Sequence, residues 1–171
     1  MICLVSPVHG YNQQPTVELG VPTVNPTIAE DIFYFTWAKS RFRMKAPGGD
    51  VTLSFYAYQY RENTQPLTIS VNGNPITYSS NEGRGRFMWH STTVPRKFLA
   101  PGINEIVFSS DSPTTNSWAI GVEYTENPRG SSKSENRGKS WYYKNIGFNY
   151  SLVGAVSYTH LRAHETSLHL V

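Results

Sequence analysis

Tyr56, Tyr58 and Tyr60 occupy every second position of the run VTLSFYAYQY, and no other stretch of the chain is better suited to chemistry. In an extended strand, side chains two residues apart leave the same face about 6.8 Å from one another, because each residue rises ~3.4 Å. Three phenol rings in a row offer flat π faces for stacking and hydroxyls for hydrogen bonding. Those two properties suit the face and the edge of a sugar ring. Arg61 and Asn63 follow at the strand end and add polar groups. Trp89, in GRGRFMWHS, is a second candidate beside a Gly-rich loop, either at the rim of a β-sandwich or as a plug for its end. The tyrosine stripe has a structural alternative as well: packing against a second sheet or neighbouring strands.

Other reactive residue types form no centre. The lone thiol, Cys3, lies in an irregular segment, and neither His9 nor His90 sits in a catalytic motif. A glycosidase needs two facing carboxylates. Glu105 reads as an outward strand residue, Asp111 and Glu126 as loop residues, and Glu123 as a neighbour of Gly121 on a solvent face. Among the five histidines, His160, His164 and His169 cluster with Glu165 near the C-terminus, but H-E-x-x-H requires the second histidine at i+4. His169 stands at i+5 from His164, about 140° round a helix, and two correctly spaced ligands, His160 and His164, make no zinc site. The expectation is a chain without catalytic residues and without a bound metal read from motif.

These rings need a scaffold to position them, and 171 residues suffice for one domain that buries roughly 70% of its unfolded surface. A single cysteine excludes an intrachain disulfide, so cysteine usage leaves the compartment open. With 13% aromatic and 16% charged residues, 13 Gly and 11 Pro, the composition is that of a turn-rich all-β domain. The net charge of +3 is mild, and Arg41, Arg43 and Lys45 with Arg96 and Lys97 are scattered rather than gathered into a nucleic-acid face. No window approaches the ~20 apolar residues of a spanning helix, and MICLVSPVHG lacks the basic start of a secretory signal.

Along the chain, residues 1–32 read as an irregular, Pro-rich lead-in with an edge strand at Thr16 to Leu19. Phe33 to Lys45 reads as a half-solvated strand, with Ala38, Phe42 and Met44 on one face and Lys39, Arg41, Arg43 and Lys45 on the other. APGGD at 46–50 reads as a turn. Val51, Leu53, Phe55 and Ala57 turn inward opposite the tyrosines. Leu67, Ile69 and Val71 form the next inward row, and Asn72-Gly73 is a hairpin dipeptide. Pro75 opens the return strand at Ile76 to Ser79, Ser80 to Arg86 is a loop, and FMWHSTTV is a mixed segment. The strand of Trp118, Ile120, Val122 and Tyr124 closes the pattern, with Trp118 in the core and Trp37 ambiguous. Short strands at near-regular spacing predict an antiparallel β-sandwich.

Asn72-Gly73 followed by V-P-x-x-F-L-x-P-G-x-N-E-I-x-F, with Val71, Val94, Pro95, Leu99, Gly102, Asn104, Glu105, Ile106 and Phe108, resembles the galactose-binding-domain-like superfamily of jelly-roll sandwiches over about residues 30–125. The matching positions make turns and strands. The resemblance implies a carbohydrate-binding or glycan-associated accessory module, joined to adjoining domains of a larger parent protein and favouring an extracellular or cell-surface setting. It also implies room for a structural calcium. Glu30, Asp31 and Glu123 are the candidate ligands for it, but no D-x-D-x-D-G loop exists. The rival expectations are a structural or protein-interaction β-sandwich without a sugar site, and a non-catalytic fragment of a glycoside-processing enzyme.

Residues 125–140 read as a linker or long hairpin arm, within which Ser134, Asn136, Gly138, Ser140 and Trp141 resemble an Asp-box turn with a buried tryptophan. Asn149-Tyr150-Ser151 is one glycosylation sequon. Ala155 to Thr166, AVSYTHLRAHET, resembles the translation of a sequencing adapter, so the sandwich domain is expected to run over 33–154, truncated at its C-terminal end, with 155–171 a non-native tail.

Overall fold

The computed structural model describes residues 16–20, 28–124, 131–143 and 146–156. The outermost described strand, β1 (Thr16–Gly20), is followed by β2 (Ile28–Ile32), β3 (Trp37–Met44), β4 (Pro47–Gln59), β5 (Leu67–Val71), β6 (Asn74–Tyr78) and β7 (Phe87–Val94). A 3-10 turn at Arg96–Phe98 leads to β8 (Gly102–Ser109) and β9 (Trp118–Tyr124). The series ends with β10 (Ser132–Ser134), β11 (Tyr142–Tyr143), β12 (Ile146–Phe148) and β13 (Tyr150–Val156). They form two antiparallel sheets, a β-sandwich. The first holds β1, β13, β4, β9, β12, β2 and β7; the second runs β11-β10-β3-β8-β5-β6.

Alternation places the core. Val51, Leu53, Phe55 and Ala57 of β4 are buried between the sheets, facing Ile106 and Phe108 of β8 and Leu67, Ile69 and Val71 of β5. The Phe55 and Phe108 rings meet at 5.7 Å. Trp118 is fully buried, and its indole N–H donates to the Gln65 carbonyl at 3.0 Å. Ser40 of β3 and Tyr150 of β13 join the two sheets through their hydroxyls at 3.1 Å.

The positions that carry the superfamily resemblance bind one another. Asn72 at φ 49° and Gly73 at φ 81° make the tight β5–β6 turn. From that turn the Asn72 amide donates to the Phe98 carbonyl at 2.9 Å and to Asn104 Oδ1 at 2.7 Å, while its oxygen accepts from the Glu105 N–H at 2.9 Å. Asn104, fully buried, also accepts from the Ala100 N–H and donates back to the Ala100 carbonyl, each at 2.8 Å. A buried carboxamide with both ends satisfied fixes the entry into β8.

Several expected boundaries move. Residues 47–50 are strand rather than turn: β4 begins at Pro47, and Lys45-Ala46 carries the chain from one sheet to the other. The Pro-rich lead-in contains a strand at each described piece, β1 against β13 and β2 against β9. FMWHSTTV is β7, paired along its length with β4, and 132–134 of the expected linker is β10.

The first sheet has a fork. On the side of β4 opposite β7, Phe55 and the residues before it pair with β13, whereas Ala57 to Gln59 pair with β9. The β12–β13 segment fills the split, and at its apex Asn149 donates its N–H to the Gly121 carbonyl and accepts from the Tyr56 N–H, both at 2.9 Å. Asn149 is fully buried, so the sequon is closed to glycosylation in the folded protein. β13 continues past Gly154 to Val156 through an irregularity in its register with β4. Cys3, His9, the histidines of the C-terminal segment and nearly all of the expected tail lie outside the described residues.

Candidate functional site

The inward burial of Leu53, Phe55, Ala57 and Gln59 turns Tyr56, Tyr58 and Tyr60 to the outer face of the first sheet, where all three are half-buried. They do not pack against the second sheet. β7 runs beside β4 with Trp89 opposite Tyr56 and Phe87 opposite Tyr58. Cross-strand partners on one face stand close enough for their rings to touch. Tyr56 stacks on Phe87 at 5.5 Å and 11° and meets Trp89 at 5.4 Å. Tyr58 contacts Phe87 at 5.2 Å and Tyr60 edge-on at 4.9 Å. The two separate candidates of the sequence, stripe and tryptophan, are therefore one continuous aromatic surface. Trp89 neither sits at a loop rim nor plugs the sandwich end.

Phe87, 38% exposed, is a member that sequence reasoning missed. Its signal was its odd-numbered place on β7, two residues before Trp89, but a phenylalanine beside a loop reads as core. His90 faces the other way. It is buried against Phe55 at 5.5 Å, with Nδ1 3.0 Å from the Tyr78 hydroxyl. Burial lowers its pKa, partly offset by the Ala57 carbonyl.

At the far end of the stripe Tyr60 donates to Asp31 Oδ1 of β2 at 3.3 Å. Burial, then the Asp31 charge and that hydrogen bond, raise the phenol's pKa and keep it protonated. Arg61 is exposed beyond the strand end and lies against Gly85, where a Cβ would come within 2.4 Å of its Nε. Gly85, at φ 79°, donates to the Gln59 carbonyl at 2.8 Å, holding the loop against this end of β4. Asn63 is not part of the surface. It is buried, and its side chain is spent on Gln65, accepting from the N–H at 2.9 Å and donating to the carbonyl at 3.0 Å.

Beyond the rings, the same face continues in hydroxyls. Ser91 pairs with Ser54 and Thr93 with Thr52, and the two serine oxygens lie 3.3 Å apart. Across the nine outward positions of the two strands, from Thr52 to Tyr60 and from Phe87 to Thr93, no side chain is charged.

The acidic residues have other engagements. Glu30 is ion-paired with Lys133 at 2.8 Å, both 15% exposed, and Asp31 serves Tyr60. Glu105 binds Lys39 at 3.3 Å and Arg41 at 3.2 Å, and Asp111 stands 4.0 Å from Arg137. No group of three metal-ligating side chains gathers among the described residues. The side chains of Glu123 and Glu126 lie outside them.

The Asp-box-like turn forms. Asn136 Oδ1 accepts from Ser134 Oγ at 3.0 Å and from the Ser140 N–H at 2.9 Å, and Gly138 at φ 75° donates to Ser134 Oγ at 2.8 Å. Trp141 is half-exposed rather than buried, under the Lys39 ammonium at 4.1 Å. At the opposite end of β4 a shallow depression of about 540 Å³ is lined by Pro47, Pro95, Leu99 and Pro101, and its Asp50 carboxylate accepts the Arg96 N–H at 2.8 Å.

No protein-family model matches the sequence, and no curated protein matches it. Among solved structures the chain is similar to a family 35 carbohydrate-binding module from an environmental isolate, with TM-score 0.38 and 15% identity, over 77% of this chain and 88% of that one.

Proposed function

We propose that this β-sandwich is a non-catalytic carbohydrate-binding accessory module of a larger protein, and that the glycan lies on the outer face of β4 and β7. One observation carries the reading. Tyr56, Tyr58, Tyr60, Phe87 and Trp89 form an unbroken set of ring contacts, and the outward groups of β4 and β7 that continue it, Ser54, Ser91, Thr52 and Thr93, are hydroxyls. Sugar rings present C–H faces that stack on aromatic rings and hydroxyl edges that exchange hydrogen bonds. The Tyr60–Asp31 bond anchors one end of the set.

Affinity electrophoresis through gels containing single polysaccharides tests this. Wild-type protein is retarded, and Trp89→Ala with Tyr56→Ala migrates freely while melting at the wild-type temperature. Unaltered mobility of the folded wild type in every polysaccharide overturns the reading. A protein-interaction sandwich is the second reading, favoured by the exposure of Phe87 on β7, which among the described strands pairs with β4 alone. In that case the gels show nothing and a protein partner protects Phe87.

A further inference from the structure

We infer that the ligand is a neutral polysaccharide chain that lies along β4 and β7, parallel to the strands, with its length shared between an aromatic half and a hydroxyl half of the same face. This rests on the carbohydrate reading above and specifies its ligand. The register fixes the order of rows: Tyr60; Tyr58 with Phe87; Tyr56 with Trp89; Ser54 with Ser91; Thr52 with Thr93. Successive rows on one face are about 6.8 Å apart, so the track from Tyr60 to Thr52 is about 27 Å long. No single sugar ring touches both a tyrosine row and the Thr52 row. Only a chain does, and only if it follows the strand direction.

The absence of charge argues for the class. An anionic glycan is held by paired or forked cations, because charge-assisted hydrogen bonds are about twice as strong as neutral ones. None of the nine outward positions supplies one. The carboxylate at the anchored end, Asp31, already accepts from Tyr60. Arg61 stands beyond the last row, with its stem against Gly85. The hydroxyl rows suit a neutral chain: Ser54 and Ser91 share one hydrogen bond at 3.3 Å, which leaves one O–H and the remaining lone pairs to meet sugar hydroxyls. Burial does not exclude them, since Ser91 and Thr93 are exposed and Ser54 is half-exposed.

The test separates the two halves. Calorimetric titration uses a size series from disaccharide to hexasaccharide cut from whichever neutral polysaccharide retards the wild type most. Wild-type affinity is expected to climb with length. In the double variant Ser54→Ala, Ser91→Ala, hexasaccharide affinity falls about two- to tenfold, the worth of one or two hydrogen bonds, while disaccharide affinity is unchanged. Thr52→Val with Thr93→Val, which keeps shape, gives the same split. Affinity that reaches its limit at the disaccharide, or hydroxyl variants that bind hexasaccharide like wild type, overturns the lengthwise track. Retardation by polygalacturonate but by no neutral polymer overturns the neutral class. In either case loss of binding in Trp89→Ala leaves the aromatic site standing, whereas a wild type retarded by nothing removes the site itself.

Discussion

The outer faces of the two sheets are built by the same alternation and dressed in opposite ways. On the second sheet, Lys39, Arg41 and Arg43 of β3 and Glu105 of β8 point outward, and Glu105 gathers Lys39 and Arg41. On the first sheet, β4 from Thr52 and β7 turn out tyrosine, phenylalanine, tryptophan, serine and threonine without one charge, and the next outward residue, Asp50, accepts the Arg96 N–H at the far end of the strand. A solvated antiparallel face needs nothing more than the first arrangement. A contiguous aromatic patch on an outer face marks a contact surface. Alternation decides which side chains leave the core, and what those side chains are made of distinguishes a charged, solvated face from an aromatic one suited to contact.

The largest expected effect sharpens the contrast between the two sides of one strand. Phe55→Ala removes a fully buried ring that meets Phe108, Tyr78 and His90 and lowers unfolding stability by about 3–5 kcal/mol, read by chemical denaturation. Its neighbour gives the opposite signature. Tyr56→Ala or Trp89→Ala weakens polysaccharide binding roughly tenfold or more and moves stability by less than about 1 kcal/mol. A binding-neutral Trp89→Ala would make the aromatic face no different from the charged one.

Acid probes β7 from its inner side. Because the folded pKa of His90 lies below its unfolded value, the unfolded chain binds more protons between the two. Stability therefore falls as pH drops below about 6.5. His90→Gln keeps an acceptor for Tyr78 and flattens that slope in melts taken from neutral to mildly acidic pH. Glu105→Gln gives the smallest effect, because it loosens Lys39 and Arg41 on the solvated face. The expected loss is about 1 kcal/mol or less, it shrinks with added salt, and binding is unchanged.

Much of this arrangement is legible in the chain because β4 alternates cleanly. Val51, Leu53, Phe55 and Ala57 against three tyrosines admit one assignment of faces, and Asn72-Gly73 admits one turn. β7 defeats the same reasoning. Its outward positions hold Phe87 and Trp89 and its inward ones His90, so apolarity does not track burial. APGGD reads as a turn by composition, yet Pro47 stands at the start of a strand, where a missing N–H is tolerated. β2, five residues with two carboxylates, is a strand because β9 lies beside it, and nothing local announces that.

The fork at Asn149 bears on the order in which the molecule is assembled. Every described strand of the second sheet has been synthesised once Tyr143 is made, whereas the first sheet still lacks the segment that flanks the Pro47–Phe55 half of β4. Pairing Tyr150 with Phe55 closes a separation of 95 residues, and pairing Ala155 with Thr16 one of 139, and such distant closures are the slow ones. The half of β4 that carries Thr52 and Ser54 thus waits longest for its second neighbour, whereas the tyrosine half has β9 beside it earlier, so the hydroxyl rows are the last part of this outer face to acquire their support.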